Sequence, residues 1–274
     1  MRYKEELDKM IWSFSRIHLW EQCPYAFYLR YIEETLGVDN FWAENGRAVH
    51  LVLEKIFKGE ISLDEAPDFY INEYENICSV ASENTMDNTF NACLDFLCEF
   101  DFDFFDNYEI LGVEKEWSFE INGYKFRGYI DLLLRHKGTD EIVVFDHKSS
   151  PYPFKKDGQT VLKNCQTNFE AYKHQMYLYS KQVIEEYGIK PSKITWLHFK
   201  DKKMATIIFN EKEYNDTLKW AVNTIKKIYK DEKFPPKKSF MMCGKLCDYR
   251  EGDCEYLNLE GENDEFCQWN HDFI

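Results

Sequence analysis

Two short stretches of this sequence hold residues whose types and spacing could do chemistry. "GYID" (128–131) ends in Asp131, and "EIVVFDHKSS" (141–150) sets Asp146 and Lys148 two positions apart. Residues i and i+2 of a strand share a face, so this carboxylate and ammonium stand side by side, as a surface ion pair or as the working end of a site. If the two stretches are neighbouring strands of a hairpin, Asp131 and Asp146 meet at one edge of a sheet with Lys148 beside them. Two carboxylates completed by backbone or water oxygens suit Mg²⁺ or Mn²⁺. A lysine next to them can polarise a phosphate or orient a water, which is the equipment of metal-assisted phosphodiester hydrolysis. Alone, the pattern recurs by chance, and a surface ion pair explains it about as well.

Other candidates are weaker taken singly. "QMYLY" places Gln175 and Tyr179 at i and i+4 on one helical face, where an amide and a hydroxyl could grip a phosphate or a base. His50 in "GRAVHLVLEKIF" lies beside an apolar stripe, where a lone histidine is more often a boundary residue than a ligand. Cys243, Cys247 and Cys254 of "CGKLCDYREGDC" suit an iron–sulfur cluster or Zn²⁺. The fourth thiolate is open between Cys23 of "EQCPYAFYLRY" and Cys267.

The elements that must position these residues follow from periodicity. Helices are expected over 15–34 with a break at Pro24, over 41–59, and through the acidic segment 66–106. The period then changes to three strands, "ILGVEKEWSFEI", "YKFRGYIDLLLR" and "EIVVFDHKSS", joined by "NG" and "HKGTD". Helix returns at 164–187, two strands occupy 193–209, and a last helix covers 211–231. The expected fold is α/β, a mixed central sheet flanked by helices with a helical N-terminal segment.

Composition narrows the setting. A hydrophobic content of 44% with 17% aromatics supports a sizeable core. Neither a signal-peptide pattern nor an apolar run of about 18 residues is present, so a cytoplasmic protein with no membrane contact is expected, its nine cysteines reduced. The net charge of −15 is unevenly spread: residues 190–250 carry 15 Lys/Arg against 7 Asp/Glu, and 251–274 carry 8 acidic residues and no Lys or Arg. The basic stretch is a candidate anion-binding surface, with Lys226, Lys227, Lys230, Lys237 and Lys238 as phosphate contacts, or a solvated helix. The acidic tail is either a solvated end or the seat of a protein partner. No G-x-x-x-x-G-K-[ST] motif is present.

Together and in this order, these motifs resemble the RecB-like nucleases of the PD-(D/E)xK superfamily. The likeness spans nearly the whole chain and is nearest to the iron–sulfur branch that includes the AddB nuclease domain, the CRISPR-adaptation nuclease and phage exonucleases. The resemblance implies a single restriction-endonuclease-like nuclease domain over 1–274: a mainly helical segment (1–109), a nuclease core (110–232), and a cysteine-rich region with an acidic tail (233–274). It implies that Cys23 completes a cluster with Cys243, Cys247 and Cys254, of the 4Fe-4S type. The spacing of these cysteines is looser than the two-and-five pattern of many members, which keeps Zn²⁺ as the second choice. It makes His50, Asp131 and Asp146 ligands of Mg²⁺ or Mn²⁺, Lys148 the catalytic lysine, and Gln175 and Tyr179 the Q-x-x-x-Y pair. Glu114, rather than Glu116, is the acidic residue ahead of Asp131. His147 faces away from Asp146 and Lys148, so its backbone carbonyl is the part expected at the metal. The implied activity is a DNA nuclease, an exonuclease on single strands or ends, in recombination, repair or phage DNA metabolism. The alternative is a non-catalytic DNA-binding or assembly subunit that keeps the fold.

Overall fold

Strand and helix alternate along this chain as the period changes require. The computed structural model describes residues 2–78, 83–239, 241–252 and 254–257. Five strands, β1 (Tyr108–Ile121), β2 (Tyr124–His136), β3 (Ile142–Lys148), β4 (Lys193–His198) and β5 (Lys203–Ile208), form one sheet in the order β1-β2-β3-β4-β5. All neighbours are antiparallel except β3 and β4. A parallel pair needs a long crossover, supplied here by α7 (Gln166–Tyr187). The β1–β2 hairpin turns on Asn122 and Gly123, with φ of +49° and +84°. Two successive left-handed residues make the tight turn that matches strand twist.

Helices cover both faces. On one side α4 (Phe41–Phe57), α5 (Ala66–Ile77) and α6 (Glu83–Glu99) pack Val49, Val52, Leu53, Tyr70 and Phe96 against Val143 and Phe145 of β3 and Leu197 of β4. On the other, α7 sets Phe169 against Trp196 of β4 at 5.1 Å between ring centroids. Behind α7 lies α8 (Glu211–Lys230), N-capped by the Asn210 side chain accepting from the Glu213 N–H. Tyr177 of α7 donates to Glu213 of α8 at 2.9 Å. Successive β3 residues alternate between these faces. Val143, Phe145 and His147 point toward α4, and Asp146 and Lys148 toward α7.

The chain divides into two compact units. The first comprises Met1–His18 and Phe41–Glu232 and holds the sheet; the second comprises Leu19–Asn40 and Lys233–Ile274. In the second, Pro24 opens α3 (Pro24–Tyr31), where its missing N–H costs nothing. A small core of Ala26, Leu29 and Tyr249 is packed by Cys23, Cys247 and Cys254. Arg250 donates to the carbonyls of Val38 at 2.8 Å and Asp39 at 3.0 Å, and Arg30 pairs with Asp248 at 2.8 Å. These bonds tie the two distant segments into one body. Among the described residues no helix is long and apolar enough to cross a membrane.

Candidate active site at the fork of the sheet

β2 and β3 pair from Arg135–Ile142 to Leu132–Phe145 and then part. Asp131 and Asp146 are the next residue on each strand, so both carboxylates stand at the fork. Asp131 fills the gap, accepting a 2.7 Å hydrogen bond from the His147 backbone N–H. On β1 the register brings Glu114 opposite Asp131, between the pairs Val113–Leu132 and Lys115–Ile130. Glu114 has φ +47°, a conformation that costs a non-glycine residue about 1–3 kcal/mol and collects at functional sites. Its Oε1 lies 3.8 Å from His50 Nδ1.

His50 comes from α4. Its Nδ1 is 3.5 Å from Asp131 Oδ2, and its Nε2 is 3.1 Å from the His147 carbonyl oxygen. A ligating histidine commonly gives its second N–H to a backbone carbonyl, which leaves the other nitrogen for the metal. Burial alone would lower the His50 pKa, but Asp131, the Glu114 contact and Asp146 outweigh it and raise it to about 9. The carboxylates around Nδ1 thus call for a positive charge there.

The position of His147 differs from expectation. Its side chain leaves β3 on the side opposite Asp146, as alternation requires, but His50 approaches from that same side. The carbonyl is engaged with His50, while the imidazole Nδ1 lies 3.6 Å from Asp131 Oδ2. The ring is 3% exposed and runs parallel to Phe57 at 6.0 Å. His50, Asp131 and His147 each offer a donor atom within 4.8 Å of the others.

The α7 side holds the remaining groups. Lys148 Nζ is 2.7 Å from Asp146 Oδ2, donates to Gln175 Oε1 at 3.1 Å, and sits 4.7 Å over the Tyr172 ring. Gln175 Nε2 in turn reaches Asp146 Oδ1 at 3.4 Å. Burial, eased by Lys148 and reinforced by Asp131, raises the Asp146 pKa to about 6. Burial would lower Lys148, but Asp146 and Asp131 more than reverse it and hold the ammonium charged. Tyr172 escaped notice in the sequence, although it lies one turn before Gln175 on the same helical face. Tyr179, one turn after, is buried, and burial first, then Asp146 and Asp131, pushes its phenol up. Its ring covers Gly128, where an added Cβ would lie 2.3 Å from a ring carbon. That close approach is why "GYID" begins with glycine.

The donor chemistry fits a divalent cation. Two imidazoles and a carboxylate converge, a second carboxylate stands on β1, and neither ring nitrogen of the buried His147 has a hydrogen-bond partner among the described residues. Asp146 lies outside this group of donors and is paired with Lys148.

Within the second unit the structure gathers Cys23, Cys243, Cys247 and Cys254. Cys23 Sγ accepts from the Lys237 N–H and Cys243 Sγ from the Ser239 N–H, both at 3.4 Å. Burial and the nearby sulfurs push up the thiols of Cys247 and Cys254. Cys267 lies outside the described residues. The basic stretch divides between the units at Glu232, and Lys226, Lys227, Lys230, Lys237 and Lys238 are exposed.

A cluster of carboxylates and histidines able to hold a metal, astride a forked mixed sheet, is the class of site these residues define. The chain belongs to the PD-(D/E)XK nuclease superfamily, whose family model it matches over residues 11–254. A solved structure from Eubacterium rectale, described as a candidate exonuclease, is similar at a TM-score of 0.53 and 14% identity, covering 87% of this chain and 88% of that one. At that identity the likeness is one of fold. No curated protein matches.

Proposed function

We propose that this protein is a Mg²⁺- or Mn²⁺-dependent DNA nuclease that acts as an exonuclease on single strands or ends. The observation that carries this reading is the convergence at one fork of Asp131, His50 and Glu114 from one side and Asp146, Lys148 and Gln175 from the other. His50 and Asp131, with Glu114 and Asp146 near them, would hold the cation. When bound, it activates water and stabilises charge on the scissile phosphate. Lys148 presents a fixed ammonium to the phosphate or the attacking water, and Asp146 and Gln175 keep it from swinging away. Hydrolysis forms a bond from water oxygen to phosphorus and breaks the phosphorus–oxygen ester bond. Lys148 can donate a hydrogen bond to the non-bridging oxygen as its charge grows.

The exposed lysines of 190–250 would contact phosphate. The four cysteines would hold a 4Fe-4S cluster with a structural role. The setting would be recombination, repair or phage DNA metabolism. A protein partner for the acidic tail belongs to this reading as well; residues 258–274 lie outside the described ones.

The test is incubation of the pure protein with end-labelled single- and double-stranded DNA, with Mn²⁺, Mg²⁺ or a chelator. Metal-dependent release of mononucleotides or short products is expected, with Asp131→Asn binding DNA while cleavage is largely lost. Intact DNA under every condition would instead favour a non-catalytic scaffold.

A further inference from the structure

We infer that the imidazole of His147 is itself a ligand of the divalent cation and that it turns the site toward Mn²⁺ and away from Mg²⁺. This rests on the reading of the fork as a nuclease metal centre and goes past it, because the residue between an Asp and a Lys of this spacing needs only its backbone to serve there.

Three observations carry it. His147 is 3% exposed, yet among the described residues neither ring nitrogen has a hydrogen-bond partner. Buried polar atoms are almost always paired, and an orphan calls for an explanation such as an ion. The ring is also held in place. Phe57 lies parallel to it, 7° between planes, and Phe145 meets it edge-on at 6.0 Å. Finally, it is aimed. Nδ1 lies 3.6 Å from Asp131 Oδ2, and His50 Nδ1 lies 3.5 Å from that same oxygen. Donors held about 2.1 Å from one ion sit about 3.0–3.5 Å apart, so little motion would close all three on a cation.

The consequence is selectivity. Mg²⁺ prefers oxygen donors and keeps its waters, whereas imidazole nitrogens favour the transition metals. One histidine among carboxylates leaves a site that serves both ions; two histidines on one carboxylate oxygen weight it toward Mn²⁺.

The experiment uses the full chain and the metals alone. His147→Leu keeps an apolar body of similar size between Phe57 and Phe145 but has no donor, and His147→Gln keeps a polar tip without an imidazole nitrogen. Calorimetric titration should show Mn²⁺ affinity falling about 10–100-fold in both variants, with Mg²⁺ affinity moving less than about threefold. Pulsed EPR of bound Mn²⁺ should show nitrogen couplings from two imidazoles in the natural protein and from one in the variants. Without metal, His147→Leu should melt at a higher temperature, because the orphaned atoms are gone; a mere packing residue would give no gain. Mn²⁺ affinity and the two-nitrogen signal unchanged in the variants, or equal losses for both metals, would overturn the inference and leave the nuclease reading standing. A natural protein that binds neither ion would overturn both.

Discussion

Asp131 accepts a 2.7 Å hydrogen bond from the backbone N–H of His147, across the point where β2 and β3 stop pairing. One carboxylate thereby does two jobs: it satisfies the first ladder donor left without a strand partner and turns toward His50. The two jobs separate in substitutions. Asp131→Asn retains an acceptor for the N–H and should fold normally, while cleavage falls about 10²–10³-fold or more. Asp131→Ala should lose the same activity and also about 1–3 kcal/mol of stability, for the orphaned donor. Urea melts of the two variants that coincide would contradict this division.

Lys148 and Asp146 are a buried pair, with side chains 16% and 5% exposed. Removing one partner from such a pair leaves an uncompensated charge and costs about 3–5 kcal/mol. Lys148→Met should therefore be strongly destabilised and inactive. Adding Asp146→Asn should restore much of the stability and none of the cleavage. If the double variant is no more stable than the single one, the pair is not the reason.

Gly128 is the contact floor for Tyr179. Gly128→Ala should cost about 1–3 kcal/mol through overpacking and reduce activity by shifting α7, which also carries Gln175. Trimming the ring in Gly128→Ala/Tyr179→Leu should return part of both. A Gly128→Ala protein with unchanged melting temperature would show that the ring is free to move.

The acid limit of stability has a sign that can be worked out. Burial first, then His174 and Lys148, lowers the His18 pKa to about 4. Burial also lowers His174 and His198. With an unfolded value near 6.5, these groups bind protons more readily when the chain is unfolded. Their contribution is fully present above about pH 6.5 and is lost as pH falls toward 4. Asp131 and Asp146, raised by burial, act in the opposite sense. Comparing unfolding free energy between pH 7 and 4.5 in the natural protein and in His18→Leu isolates the histidine part. The natural protein should show the steeper fall, and parallel curves would count against it.

Cys23→Ala and Cys247→Ala should each lose bound iron together with stability of the second unit, since binding of the proposed cluster would be folding energy. Anaerobically purified protein should be brown and absorb near ~400 nm. Colourless, equally stable protein would remove the cluster from the account.

Much of this could be read from residue order. The five strands and the helices between them follow from changes of hydrophobic period, and Asn122–Gly123 marked the hairpin outright. Asp146 and Lys148 share a face because strand alternation is geometric. What stayed hidden depends on tertiary partners. Alternation correctly turned His147 from Asp146 but said nothing of the helix arriving on its other side, so the imidazole was discounted. The i,i+4 spacing of Gln175 and Tyr179 marks one helical face but carries no sign that the Tyr179 ring is pressed onto Gly128. The left-handed Glu114 has no local sequence signal, since its strain is held by the strands around it.

The second unit is built from Leu19–Asn40 and Lys233–Ile274, so its halves are separated by the whole of the sheet-bearing segment. If Cys23 and Cys243 hold the proposed cluster together, Cys23 waits during synthesis until Cys243 leaves the ribosome. At about 5–20 residues per second this interval lasts tens of seconds. The sheet unit is complete at Glu232 and can assemble in that interval. With the proposed cluster, maturation would run in one order, the fork of the sheet unit forming before the cysteine site closes. Cells starved of iron should accumulate chains in which the first unit is protease-resistant and the second is cut.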